Sequence, residues 1–291
     1  MSATATIVRP VRRSVMSRVL PGGATVVVGI AAMVLAMIIV LTIFGTTLAP
    51  HKPSVESLVN ASANPGHGYL LGTDNLGRDI FSRVLAGTGT ALSGPLVIAL
   101  GAMLISVFFG VVSGYLGGLV DNVIMRTVDV GYALPPLLVA IVVAGVIGGG
   151  YWIAVAVLVV LSSPYDVRII RAVTLEQRQL PYVEAARVLG LSRRRIMVGH
   201  LLPNVVPFVI VDLCLDFAFA LVTLSGLSFL GLGAPPGSDD WGRMLSDNQA
   251  LIFTNPLGAL APGIMIVLTA ASVSIIGDWF AERFAARGMR A

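Results

Sequence analysis

Residues 184–204 read EAARVLGLSRRRIMVGHLLPN. The stretch is polar and rich in arginine, and apolar runs flank it, Tyr151–Ser163 before and Val205–Gly231 after. That setting decides the fold class, because about 20 apolar residues in a row suffice to cross roughly 30 Å of hydrocarbon. The whole chain, 291 residues long, is 56% hydrophobic and only 12% charged, against about 25% charged in soluble domains. Further apolar runs occur at Val26–Leu48, Ala91–Tyr115, Val130–Gly148 and Leu257–Ile276. The expectation is an all-α integral membrane protein with about six transmembrane helices. No apolar–polar alternation recurs over ten-residue segments, which excludes a β-barrel.

The third and fourth runs are irregular. Pro135-Pro136 and Gly148–Gly150 interrupt that region, and the fourth run is short, so its helix is expected to continue past Pro164 toward Arg171. The first run follows Arg9, Arg12, Arg13 and Arg18. It exceeds the roughly 7–15 apolar residues of a secretory signal and reads as an uncleaved span. The resulting organisation is a cytoplasmic segment 1–23, a first span 24–49, an extracytoplasmic loop 50–90, a core 91–280 and a cytoplasmic tail 281–291. Within the core lie a cytoplasmic loop 164–204 and an extracytoplasmic loop 234–256.

Charge sets the orientation. With the N-terminus inside, every one of the 19 basic residues except Lys52, Arg78, Arg83 and Arg243 falls on the inner side. Such a bias places both termini and the 184–204 stretch in the cytoplasm. The net charge of +4 is too small to suggest nucleic acid. The single cysteine, Cys214, excludes a disulfide framework and reads as inert packing. The second outer loop, with Trp241 among acids and apolar residues, reads as a short helix at the lipid–water boundary with the indole at headgroup depth.

Within 184–204, strong helix formers run from Glu184 to Leu189. Gly190 follows where a positive φ ends a helix, and Ser192 caps a second, basic helix that is expected to stop before Pro203. Two short helices with a bend at Gly190 make a rigid unit, and coupling needs elements with discrete positions. Read from composition alone, the same unit is a juxtamembrane hairpin drawn to anionic lipid.

Asp212 and Asp216 stand one turn apart inside the fifth run and share a face. Ionisable groups at that depth cost about 2.5–3.5 kcal/mol each on insertion scales and face a cavity or a partner. They read either as a path that receives a substrate's amino terminus or a proton, or as groups paired with a neighbouring helix. Gly72–Asp79 contains no nucleotide-binding G-x-x-x-x-G-K-[ST] pattern, and neither does any other stretch. It reads as an ordered loop closed by Asp74 or Asp79 with Arg78. Gly110, Gly114 and Gly118 suit close helix packing.

No catalytic residue is expected. His200 lies at the cytoplasmic edge, away from Ser225 and Ser228, and Tyr165-Asp166 lacks the G-x-G-D partner of an intramembrane aspartyl protease. His51, His67 and His200 fall on different loops, so no metal site is expected.

The order Glu184-Ala185-Ala186, Gly190, Leu202-Pro203 resembles the EAA loop of the permease subunits of ATP-binding-cassette (ABC) importers. His200, two places before Leu202-Pro203, is similar to the H-x-L-P-N pattern of the dipeptide and oligopeptide branch. Leu71-Gly72-Thr73-Asp74-Asn75-Leu76-Gly77-Arg78-Asp79 with Ser82-Arg83 resembles the LGTDxLGRDxxSR stretch of that branch's "C"-type permeases. Ser228-Phe229-Leu230-Gly231-Leu232-Gly233, Pro235-Pro236 and Trp241-Gly242 resemble its SLSFLGLG…PP…WG stretch. One departure is Leu224, where those proteins often carry glutamate.

The resemblance implies a type I ABC importer permease in a bacterial cell membrane, forming half of a path for di- and oligopeptides. Its partners would be a second permease subunit, two ATP-binding subunits and an extracytoplasmic substrate-binding protein, within the lipid bilayer. ATP and Mg would sit on the ATPase subunits, with no cofactor on this chain. Glu184, Ala185, Ala186, Gly190, Leu202 and Pro203 would couple to the ATPase. Two alternatives remain: a nickel-importer permease of the same family, and a secondary transporter driven through Asp212 and Asp216.

Overall fold

The computed structural model describes residues 21–66, 68–147 and 150–288, so the N-terminal arginines, His67, Gly148, Gly149 and Arg290 lie outside the described residues. Among the described residues every regular element is helical. The eleven α-helices are α1 (Pro21–Leu48), α2 (Ile80–Ala86), α3 (Thr88–Leu116), α4 (Gly118–Tyr132), α5 (Pro136–Ile147), α6 (Tyr151–Arg178), α7 (Pro181–Val188), α8 (Arg193–Ile196), α9 (Leu202–Phe229), α10 (Trp241–Asp247) and α11 (Pro256–Gly288). Five of the helical stretches are long and apolar enough to cross a bilayer, and α4 with α5 forms an apolar pair bent by 75°, a sixth crossing if the two count as one span. The break falls at Pro135-Pro136. Pro136 opens α5, where a missing N–H costs nothing, and the preceding residue is pushed out of the helical region.

The core helices pack through small residues. α3 lies along α6, and a methyl added at Gly110 would meet the Ile170 side chain at 2.8 Å, one at Gly114 the Thr174 side chain at 2.8 Å. With lipid outside as apolar as any side chain, such close backbone approach drives helix association. Gly118 takes no part; it opens α4 in open space.

Proline inside the spans is tolerated because freed backbone groups find other partners. Pro164 removes the donor for the Val160 carbonyl, and the Ser163 hydroxyl donates to it at 2.9 Å. α6 therefore runs unbroken to Arg178, continuing past Pro164 as expected. Beyond α7 the structure differs from expectation. α8 does not stop before Pro203 but leads through a π-helical turn, Met197–Leu201, straight into α9. A widened turn relieves the clash of the Pro203 ring with the carbonyl four residues back.

Two outer loops interlock around one buried guanidinium. Arg83 is fully buried. It donates to Asp74 Oδ2 at 2.7 Å, to Asp239 Oδ1 at 2.8 Å and to the carbonyls of Gly237 and Ser238 at 3.1 and 2.8 Å. Asp74 also accepts from the N–H groups of Leu76 and Arg78, each at 2.9 Å, and from Arg78 Nε at 2.7 Å. The expected closure of this loop by Arg78 thus runs through Asp74. Asp79 instead caps α2 by accepting from the Ser82 N–H at 3.3 Å, and meets His51 Nδ1 at 3.1 Å.

The second outer loop corrects an expectation. Trp241 does not rest at the headgroups. It is fully buried, donates its indole N–H to the Val84 carbonyl at 3.0 Å, and packs with Ile80, Val84, Leu221 and Met244. Residues 234–256 are therefore a lid docked on the bundle. Asp240, which caps α10 by accepting from the Arg243 N–H at 3.0 Å, is buried with it, and burial pushes its carboxyl above the usual carboxylate range.

Arg83→Ala would remove the cation that buried Asp74 and half-buried Asp239 share, a loss of about 3–5 kcal/mol for the buried Arg83–Asp74 pair. Arg168→Ala breaks a half-exposed pair with Asp129, worth about 1 kcal/mol or less. Denaturation of the detergent-purified proteins should show a large loss for the first variant and a small one for the second. Equal losses would refute the outer node as the stronger fastening.

Candidate functional site

Two places carry the chemistry that the packing does not use: a bent helical unit at the inner end, and an acidic cavity at the middle of the bundle.

The inner unit is α7, α8 and the turn between them. Pro181 at the first position starts α7. At its end the Gly190 N–H donates to the Arg187 carbonyl at 2.9 Å and the Leu191 N–H to the Ala186 carbonyl at 3.2 Å. This pair of bonds is a Schellman stop, which needs a left-handed residue, and Gly190 supplies it with φ +74°. Ser192 then caps α8, its hydroxyl accepting from the Arg195 N–H at 3.4 Å. The expected bend at Gly190 and cap at Ser192 are both present. The same stop ends α9 at Gly231, with φ +80°, where Leu232 donates to the Leu227 carbonyl at 2.9 Å. That is the physical content of the Ser228–Gly233 motif.

The faces of α7 divide sharply. Val183 and Ala186 point inward and pack with Tyr115, Ile196 and Leu201. Ala186, assigned from the sequence to a partner surface, thus anchors the unit to its own bundle, and its small size permits that approach. Glu184 and Ala185 face outward. So do Val188 and Leu189, at 83% and 78% exposure, two apolar residues that the motif did not single out. Leu202 is half-buried and Pro203 exposed, both in the first turn of α9, and Gly190 is exposed at the bend.

The cavity measures about 670 Å³. Its walls are the α4–α5 break at 131–136, the middle of α6 and the middle of α9. Asp212 and Asp216 both line it, so the shared face expected from their spacing exists. A third carboxylate, Asp166 from α6, stands beside them, and an oxygen from each of the three lies within 4.8 Å of the others. Asp166 is 1% exposed. Neither of its oxygens accepts a hydrogen bond from the protein, and the same holds for Asp212 Oδ2 and Asp216 Oδ2. Asp166 stands on the neighbouring helix and faces the other two, so the three acids are one another's nearest polar groups. Three negative charges at such spacing repel by about 3–4 kcal/mol per pair at an effective dielectric constant of about 20. The site is suited to a cation.

Asp166 was passed over in the sequence because its one recognisable context, Tyr165-Asp166, lacks a catalytic partner. The signal that finds it is register. Asp166 lies near the middle of an apolar helix, where an ionisable side chain marks a cavity.

Cys214 packs against Gly277, whose added methyl would meet Cys214 Cβ at 2.9 Å. Leu224 is buried between α3, α6 and α9 and does not line the cavity.

Comparison with known proteins identifies the family and the fold. Residues 106–288 match the family described as binding-protein-dependent transport system inner membrane component. The glutathione transport system permease protein GsiD of Pectobacterium atrosepticum is 37% identical over 214 residues, covering 74% of this chain and 71% of that protein. The "Probable D,D-dipeptide transport system permease protein DdpC" of Escherichia coli is 33% identical over 248 residues, covering 85% and 83%. In fold, the chain resembles an inward-facing MetNI methionine ABC transporter with a TM-score of 0.55 at 17% identity, over 69% of this chain and 95% of that one. Helix composition, bent helix pair and family match converge: this chain belongs to the inner membrane components of binding-protein-dependent transport systems.

Proposed function

We propose that this chain is a permease subunit of an ATP-driven importer of short peptides, lining half of the path and taking its motion from an ATPase subunit. The observation that carries the peptide assignment is that relatives aligned over 74% and 85% of this chain are named for glutathione and D,D-dipeptide transport. The nickel reading has no such support among them. The rigid 184–190 unit supports coupling. Its outward face of Glu184, Ala185, Val188 and Leu189 offers a carboxylate and an apolar patch to a soluble partner, and Gly190 sets the angle at which it is presented. Leu202 and Pro203 begin the helix that carries two of the three cavity acids, so displacement of the unit reaches the cavity through one continuous rod.

In this reading ATP and Mg reside on two ATPase partners. A second permease chain closes the path from the other side. A binding protein delivers peptide to the outer loops, where Asn75, Arg78, Pro236 and Asp247 line a polar cleft of about 240 Å³ between them. Asp212 and Asp216 line the path. The alternative use of these acids in proton-driven transport predicts a different energy source.

Two tests follow for the assembled transporter in proteoliposomes. Gly190→Pro fixes φ near −65° where +74° is required. It should abolish ATP-dependent peptide uptake while leaving membrane insertion intact, and Gly190→Ala, which costs about 1–2 kcal/mol in the left-handed region, should retain part of it. Normal uptake by the proline variant would overturn the coupling role. Uptake should also be lost when the ATPase is disabled and be indifferent to an uncoupler. The reverse pattern would establish the proton-driven reading. Separately, Leu189→Asp should weaken co-purification of the ATPase subunits about tenfold or more by placing a charge in a desolvated contact. Unchanged co-purification would remove this face from the interface.

A further inference from the structure

We propose that Asp166, Asp212 and Asp216 form one cation-receiving subsite, and that its occupant is the protonated α-amine of the peptide in transit. This rests on the peptide-import reading above.

The first argument is the contrast with every other acid of the spans and outer loops whose partners are seen. Asp121 is held by two nitrogens of Arg171 at 2.5 and 2.6 Å, Asp129 by Arg168 at 2.5 Å, and Asp247 by Arg243 at 2.9 Å. Asp74 and Asp239 share Arg83. Among the described residues the three cavity acids form no ion pair, and, unlike the buried Asp240 that caps α10, Asp166 meets no donor at either oxygen. Arg168 stands two residues from Asp166 but is turned away, its guanidinium 4.3 Å from the centre of the Tyr132 ring and paired with Asp129. The other cavity-lining residues carry no charge: they are tyrosine, serine, proline, glycine and apolar side chains. Such acids must either hold protons or meet a cation from outside the chain.

The second argument is independent of the acids and concerns space. A cavity of about 670 Å³ is of the size that holds an organic ligand, whereas a water molecule occupies about 30 Å³. Around the carboxylates stand Tyr132, Tyr165, Leu215 and Phe219. A bare metal ion uses the oxygens and leaves this aromatic and aliphatic wall idle. A primary ammonium on an organic body uses both: three N–H donors meet three converging carboxylates, and the side chain of the first residue lies against the rings. The buried, donor-free position of Asp166 makes it the deepest contact.

The test uses the assembled transporter with its binding protein in proteoliposomes. Uptake is measured for an alanyl dipeptide and for its des-amino analogue, at concentrations adjusted to give equal loading of the binding protein. Wild type should favour the amine-bearing peptide about tenfold or more, as sites built around a buried hydrogen-bonding group do. In Asp166→Asn, and in the double variant Asp212→Asn with Asp216→Asn, that ratio should fall toward one. Asp166→Glu should restore most of it, with assembly of the complex unchanged throughout. A ratio that stays the same in variants that still import peptide would overturn the subsite. Saturable Mn²⁺ binding to the purified complex, lost in Asp166→Asn while the peptide ratio persists, would reassign the cluster to a metal and overturn it too. Failure of the wild type to import either peptide while hydrolysing ATP would instead overturn the peptide-import reading itself.

Discussion

A carboxylate taken out of water must meet a counter-charge or a cavity, and this chain is arranged around that requirement. Where an acid fastens two elements together, an arginine faces it. Arg83 ties the outer loops, Arg171 ties α6 to α4 through Asp121, and Arg168 does so again through Asp129. Where Asp166, Asp212 and Asp216 gather without an arginine, the bundle opens around them.

The opening is made by helix breaks. α4 cannot continue through Pro135-Pro136, and the resulting 75° bend makes residues 131–136 one wall of the cavity. Irregular backbone is tolerated at membrane depth where it lines a cavity, and discontinuous helices recur around transport sites for that reason. Opposite the bend, α6 continues as one helix through Pro164, where Ser163 takes over the orphaned carbonyl. It carries Asp166 on one side and the α7–α8 unit at its inner end. α9 holds the other two acids and begins in the same unit, so the cavity and the inner handle hang on the same two rods.

Much of the inner handle was legible from residue chemistry. Only glycine occupies a left-handed helix stop without strain, so Gly190 announced the bend, and Ser192 announced the next cap. The direction in which each residue of α7 points was not legible. Ala186 and Ala185 are chemically identical, yet one is buried under Tyr115 and the other faces solvent. Trp241 likewise satisfied an interfacial pattern by composition, but a carbonyl within reach of its indole N–H draws it into the core.

The sequence by itself determined the membrane class, because the length of an apolar run is a one-dimensional property of a chain. It determined the helix stops for the same reason, since a backbone angle belongs to a single residue. Only the tertiary structure decided that Asp166 joins Asp212 and Asp216, that Arg83 joins Asp74 to Asp239, and that Pro203 continues a helix instead of ending one. Each of these depends on which helix faces which, and that is set by the close packing of small residues between distant segments rather than by any local preference.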